Sequence, residues 1–187
     1  NKISKFINSS TILIHFAAIS NDNISKKNKK KTFDVNINGI KNLIKICNHK
    51  KAKQFIFMSS EWVYGDKKNK KIMDEKLKID PKLLKNSPYA LSKFLSEKLL
   101  NKKNFFPSTI LRLGIVYGPR LKPQSAVESI TDNILKKNKL VLGSKKTSRR
   151  YIFISDVING ILHSIGRDKN EIFNLSGEKL VNLNKIA

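Results

Sequence analysis

Apolar residues fall along this chain in two rhythms. Thr-Ile-Leu-Ile-His-Phe-Ala-Ala at 11–18 is a short, nearly unbroken apolar run rich in β-branched side chains. That composition predicts a strand buried on both faces, as in a parallel sheet. After a polar loop, Val35, Ile37, Ile40, Leu43, Ile44 and Cys47 recur at helical spacing, which predicts a helix over 32–48 with these residues on its buried side. Gln-Phe-Ile-Phe-Met at 54–58 reads as a second buried strand ending at Ser59 and Ser60, and a charged loop carrying Pro81 follows over 61–86. Ser87 is a good N-cap and Pro88 a good first helical residue, so the next helix spans 88–103. A third strand occupies 108–113, a helix 125–138 and an extended stretch 151–154; Ser155 caps a helix over 156–164, and a last helix begins near 182. Strand, helix, strand, helix, strand is the order of right-handed crossovers in a doubly wound sheet.

Composition narrows this picture. At 187 residues the chain can bury one sizeable core. The formal charge of +24 invites a nucleic-acid reading, yet of 38 basic residues only Arg112, Arg120, Arg149, Arg150 and Arg167 are arginine. The lysines cluster in loops and on polar faces, as at 25–31 and 67–71, without interleaved aromatics. This reads as compositional bias with solvated faces: weak polyanion binding at low salt, and no specific nucleic acid. A single cysteine, Cys47, in an apolar stretch predicts a reduced core thiol, and His15, His49 and His163 lack ligand spacing, so no metal is expected. The longest apolar run, 11–19, is far short of a membrane span, and no secretory signal is visible. The expected setting is cytoplasmic, without a membrane partner. A start at Asn1 and an end at Ala187 inside an expected helix suggest a fragment.

Candidate chemistry gathers at strand ends, where doubly wound sheets bind ligands. Those ends are Ala17 and Ala18, Ser59 and Ser60, and Gly114. Tyr89 and Lys93 lie four apart on the helix after the second strand, so phenol and ammonium share a face. Such a spacing arises by chance in a lysine-rich chain, but here seven segments fall in one order. His15-Phe16-Ala17-Ala18, Asn36 with Gly39, Asn42 and Leu43, and Ser59-Ser60-Glu61-Trp62-Val63-Tyr64-Gly65 come first. Glu75 with Ser87-Pro88-Tyr89 and Lys93, then Leu111-Arg112 with Val116-Tyr117-Gly118-Pro119, follow. Arg149 with Tyr151-Ile152-Phe153-Ile154 and Asp156, then Phe173-Asn174-Leu175 with Gly177-Glu178, close the series. Together they resemble the extended short-chain dehydrogenase/reductases, in particular the NAD-dependent epimerase/dehydratase family acting on nucleotide sugars.

The resemblance implies an α/β fold: a partial doubly wound, Rossmann-like parallel sheet over 1–120, and a mixed segment over 121–187 that starts a small C-terminal substrate lobe. It implies reversible hydride transfer with NAD, or alternatively NADP, on a nucleotide sugar. Tyr89 would be the acid/base, Lys93 its pKa tuner and the anchor of the nicotinamide ribose, and Ser60 the residue positioning the substrate oxygen. Phe16, Ala17, Ala18, Asn36 and Gly114 would join Tyr89 and Lys93 around the cofactor, and Arg149 would meet the substrate diphosphate. The electrostatics support such a pairing. An ammonium ~6 Å from a phenol, at an effective dielectric of ~20, favours phenolate by roughly 3 kcal/mol, or about two pKa units. Relatives dimerise through a bundle that includes the tyrosine helix, and Phe94 and Leu95 on that helix are compatible with a homodimer.

Departures limit these expectations. No G-x-x-G-x-x-G turn follows a first strand, so the first strand here corresponds to the fourth in the order 3-2-1-4-5-6. The chain by itself is therefore expected to bind NAD(H) poorly and to expose an apolar sheet edge. Where sugar dehydratases carry an Asp-Glu pair, this chain has Glu61 and Trp62, which disfavours water elimination. Ile115 stands where epimerases commonly carry an asparagine, and Arg150 where an acid is usual. A reductase acting on a non-sugar substrate, a non-catalytic dinucleotide sensor and an RNA-binding member stay open as alternatives.

Overall fold

The computed structural model describes residues 2–65, 73–102, 104–137 and 148–186. Its elements, in order, are β1 (Ile12–His15), α1 (Asp22–Lys27), α2 (Lys29–Phe33), α3 (Gly39–Lys50), β2 (Gln54–Ser60), α4 (Pro88–Leu100) and β3 (Ser108–Leu113). β4 (Ile115–Tyr117), α5 (Ala126–Leu135), β5 (Ser148–Phe153), α6 (Ile154–Ser164), β6 (Glu171–Leu175) and β7 (Leu180–Asn182) follow. They form two compact units: Asn1–Arg112 with Ser164–Asn174, and Leu113–His163 with Leu175–Ala187.

In the first unit the sheet runs β1-β2-β3-β6. β1 pairs in parallel with β2, Ile12 opposite Gln54 and His15 opposite Phe57. β2 is buried along its whole length, as its unbroken apolar run predicts. Phe55, Phe57 and Ile110 of the sheet pack with Ile40 and Cys47 of α3 and Leu100 of α4 in one core. Cys47 is free and buried, and burial pushes its thiol up to about 11. β1 stands at the end of the sheet order, with Ile14 and the following Phe16 exposed. α4 begins as its residues dictate: the Ser87 side chain accepts from Ala90 N and Pro88 opens the first turn. It ends at Leu100, and Lys103 lies outside the described residues.

Several elements differ from the pattern. The expected helix over 32–48 is preceded by α1 and α2 and broken by a π-helical turn, Asp34–Asn38. The lysine-rich stretch before it has no apolar stripe. It packs instead through Ser25 and Thr32, whose hydroxyls donate to Asp22 O (2.8 Å) and Asn28 O (3.0 Å) and so enter the interior satisfied. The π turn adds a residue to the helical repeat; Asn36 is buried and Val35, expected inside, is exposed. Phe94, expected to face outward beside Leu95, packs with Val63, Tyr64, Leu84 and Ala90, while Leu95 keeps 37% of its surface. The loop over 61–86 contains two short 3-10 turns, Glu61–Tyr64 and Pro81–Leu84, and its lysines at 67–71 lie outside the described residues.

In the second unit β5 lies between β4, parallel to it, and β7, antiparallel. Gly114 N donates to Leu175 O (2.9 Å), and a Cβ at Gly114 would stand 2.8 Å from Arg150 O. α5 starts with a capping box between Ser125 and Glu128, and residue 138, its expected end, lies outside the described residues. α6 begins at Ile154, so Ser155 sits in its first turn and does not cap it; β5 runs straight into the helix. The helix expected from 182 is instead the end of β7 followed by a 3-10 turn, because Asn182 pairs with Ser148 and its side chain accepts from Asn184 N. Among the described residues no helix is long and apolar enough to cross a membrane.

Phe55 is fully buried and stacks on Phe106 at 5.8 Å between centroids, whereas Leu121 is wholly exposed. Phe55→Ala should lower the unfolding free energy by about 3–5 kcal/mol in urea titrations, and Leu121→Ala by no more than about 0.5 kcal/mol.

Candidate active site

The end of β2 and the first two turns of α4 supply the site. Residues 89, 93 and 97 form one stripe of α4 at i, i+4 and i+8. Each meets the end of β2. The Tyr89 phenol lies within the influence of the Ser60 side chain, which favours its ionised form. Ser60 Oγ accepts from Trp62 N at 3.3 Å. Lys93 Nζ donates to Met58 O at 2.6 Å and lies 4.7 Å from the centre of the Phe57 ring and 6.0 Å from that of Tyr89. The Trp62 ring stands edge-on to Tyr89 at 6.1 Å.

Burial governs the titrations here. Lys93 is only 4% exposed, and desolvation holds its ammonium down at about 8, against a weaker pull upward from Glu97. Tyr89 is pushed above the ordinary phenol range by burial, with the Ser60 side chain pulling the other way. The expected lowering of Tyr89 by Lys93 is therefore not the dominant effect. The packing that sets phenol and ammonium side by side strips water from both, and desolvation outweighs their attraction. His15, stacked on Phe57 at 6.0 Å, is held down to about 4, by burial first and by the Lys93 charge second. It is a half-buried, neutral histidine.

Asn36 joins the exit of β1 to α4. Its Oδ1 accepts from Ile19 N (2.8 Å), and its Nδ2 donates to Ile19 O (3.1 Å) and to Ser92 Oγ (2.9 Å). Its polar atoms thus hold the segment carrying Phe16, Ala17 and Ala18, of which Phe16 and Ala17 are exposed. Gly114 and Arg149 belong to the second unit. Gly114 fills a place closed to any side chain. Arg149 is exposed on β5 and donates to Ser148 O at 3.0 Å.

A buried network beside the site was not read from the sequence. Glu97 accepts from Ser59 Oγ (2.5 Å), from Arg112 Nε (3.1 Å) and from Arg112 Nη2 (2.7 Å). Arg112 Nη1 donates to Tyr64 Oη (2.9 Å), which lies 2.7 Å from Asn174 Oδ1. Asn174 N donates to Glu75 Oε1 at 2.6 Å. The signal available was Glu97 itself, four residues beyond Lys93 on the same stripe. Among the described residues no group of three or more His, Cys, Asp or Glu side chains could hold a metal ion.

A model of the NAD dependent epimerase/dehydratase family matches residues 1–176. The uncharacterized UDP-glucose epimerase YtcB of Bacillus subtilis (strain 168) is 30% identical over 94% of this chain and 56% of its own length. The dTDP-D-glucose 4,6-dehydratase of Dictyostelium discoideum is 30% identical over 92% of this chain and 44% of its own. The crystal structure of UDP-glucuronic acid 4-epimerase from Bacillus cereus, in complex with UDP-glucuronic acid and NAD, superposes with a TM-score of 0.84 at 29% identity. It covers 98% of this chain and 59% of that one. The chain thus spans about half the length of the curated relatives it matches.

Lys93 titrates near 8 when folded against an ordinary 10.5, so between those pH values the unfolded chain binds more protons and stability rises with pH. Below about 8 the buried ammonium costs the fold roughly 3 kcal/mol. Lys93→Met should therefore stabilise the chain at pH 7 by up to about 3 kcal/mol, the gain shrinking to nothing as pH approaches 10.5. Chemical denaturation of both forms across that range measures it; a difference independent of pH is the contrary result.

Proposed function

Because the chain belongs to the NAD-dependent epimerase/dehydratase family, we propose that it carries the catalytic residues of a nucleotide-sugar epimerase or oxidoreductase. The observation that carries this reading is the buried Lys93 ammonium, held by Met58 O 6.0 Å from the centre of the Tyr89 ring, beside the β2 end that carries Ser60. Ser60 orients the sugar hydroxyl and donates to its oxygen as charge develops there. Tyr89 takes the hydroxyl proton as the carbon is oxidised and returns it on reduction. Its raised phenol suits it to hold that proton in the resting chain, and substrate and cofactor must complete the field that releases it.

The donor set fits the nicotinamide end of NAD. Lys93 gives one of its three N–H donors to Met58 O, and exposed Phe16 and Ala17 lie where β1 ends. Phe16, Ala17, Ala18, Lys93 and Tyr89 would hold that end, with Asn36 fixing the loop; bound NAD would supply reversible hydride acceptance. NAD is favoured over NADP, as the similar UDP-glucuronic acid 4-epimerase structure contains it. Arg149 is the candidate for the substrate diphosphate, which a guanidinium can meet bidentately. Trp62 occupies the second acid position of dehydratases and meets Tyr89 with its ring edge, so hydride transfer proceeds here without loss of water. A homodimer through α4 would use Leu95, and the whole protein acts in the cytoplasm on a soluble UDP- or dTDP-sugar.

In the whole protein, Tyr89→Phe should reduce turnover of UDP-sugars by roughly a hundred- to ten-thousand-fold, with substrate binding retained and the wild-type product keeping the mass of the substrate. A non-catalytic sensor would instead bind equally well in both forms and turn over in neither. The 187-residue chain alone, which has no glycine-rich pyrophosphate turn, should bind NADH more weakly than micromolar in a fluorescence titration.

A further inference from the structure

Glu97 is 2% exposed and has no freedom to turn away. One carboxylate oxygen accepts from Ser59 and Arg112 Nε, the other from Arg112 Nη2, and Arg112 is braced in turn by Tyr64. A fork-to-fork pair of this kind has one orientation. It stands one helical turn beyond Lys93, where Cβ atoms are about 5–6 Å apart. The groups facing Lys93 come from every element packed on it. β1 brings His15, which is neutral, and β2 brings Met58 O and the Phe57 ring. α4 brings Tyr89, itself protonated in the resting chain, and Glu97. Arg112 of β3 is spent on Glu97 and Tyr64. Among these described groups Glu97 is the one anion.

We propose that Glu97 is a positioning residue for the site: clamped by Arg112 and Ser59, its carboxylate holds the charge of Lys93 in place against Met58 O, and ties Ser59, hence neighbouring Ser60, to the same helix. Glu97 acts against the desolvation that works to neutralise Lys93. Without it, more of the lysine would be uncharged at neutral pH, and the ammonium that the proposed hydride-transfer site relies on would be lost. The inference rests on that reading of Lys93, yet its physical content can be measured without cofactor or turnover.

The probe is the ε-CH2 resonance of Lys93 in 13C-lysine-labelled chain, assigned by its disappearance in Lys93→Met and followed from pH 6 to 11. Wild type should titrate near 8. Glu97→Gln alone strands Arg112 and risks unfolding, so the informative variant is Glu97→Gln with Arg112→Met, which removes both charges and keeps an acceptor for Ser59. In that variant, with the fold verified by circular dichroism, the Lys93 midpoint should fall by about one pH unit. Glu97→Asp, which keeps the charge, should stay nearer wild type. A folded double variant with an unmoved midpoint, or an aspartate variant displaced as far as the double variant, overturns the proposal. In the whole protein the falling, alkaline limb of the pH–rate profile should move with the midpoint. A shifted Lys93 in a protein whose turnover ignores Tyr89→Phe would keep the role of Glu97 and sink the proposed function instead.

Discussion

A lysine ammonium kept from water is the constraint around which the first unit is arranged. Lys93 is answered by one carbonyl, two aromatic faces and a carboxylate one turn away. Each of these comes from an element that must be in register for the others to reach. β2 has to end where Met58 O meets the helix and Ser60 meets Tyr89. α4 has to start at Ser87 for residues 89, 93 and 97 to share a stripe. Arg112 has to leave β3 on the side of Glu97. An uncompensated buried ion would cost several kcal/mol, so the polar framework behind the site is as much a condition of the fold as the apolar core.

The electrostatics also qualify the simple picture of a lysine activating a tyrosine. A pair of charges in a medium of uniform dielectric predicts a lowered phenol. In the folded chain both groups move toward their neutral forms, Tyr89 upward and Lys93 downward, because the same packing desolvates both. The resting site therefore stores its proton. Such a state suits an acid/base residue that acts only once a substrate hydroxyl and a cationic ring fill the space beside it.

How much was legible in the sequence follows from which signals were local. Ser87 and Pro88 announced the start of α4, and the unbroken apolar runs announced β2 and β3, since capping and two-sided burial leave marks in neighbouring residues. Ser60, Tyr89 and Lys93 stand out as candidates only beside the flanking segments, since a tyrosine and lysine four apart are common in a lysine-rich chain. α1 was missed because its contribution to the interior is Ser25, which buries through a bond to its own backbone and looks solvent-facing on paper. Val35 was misplaced because a π turn shifts the helical repeat by a residue that no periodicity count includes. The role of Glu97 could not be read, because its meaning lies in Arg112, fifteen residues on, and in Ser59, thirty-eight residues back. β6 escaped because five half-buried residues after a polar loop give no period long enough to score.

The first unit is interrupted in the chain: it leaves at Arg112 and is resumed at Ser164–Asn174. Gln54 Nε2 waits for Ser164 O, 110 positions later, and Tyr64 for Asn174, also 110 positions later. During synthesis, at about 5–20 residues per second, β1 to β3 would emerge several seconds before β6 can close the far side of the sheet. Throughout that interval the edge of β3 and the open end of the Arg112 network depend on whatever else is near. Contacts of such separation slow folding. A helix that is locally well specified therefore sits in a sheet that β6 completes only after the intervening segment of the second unit has been made.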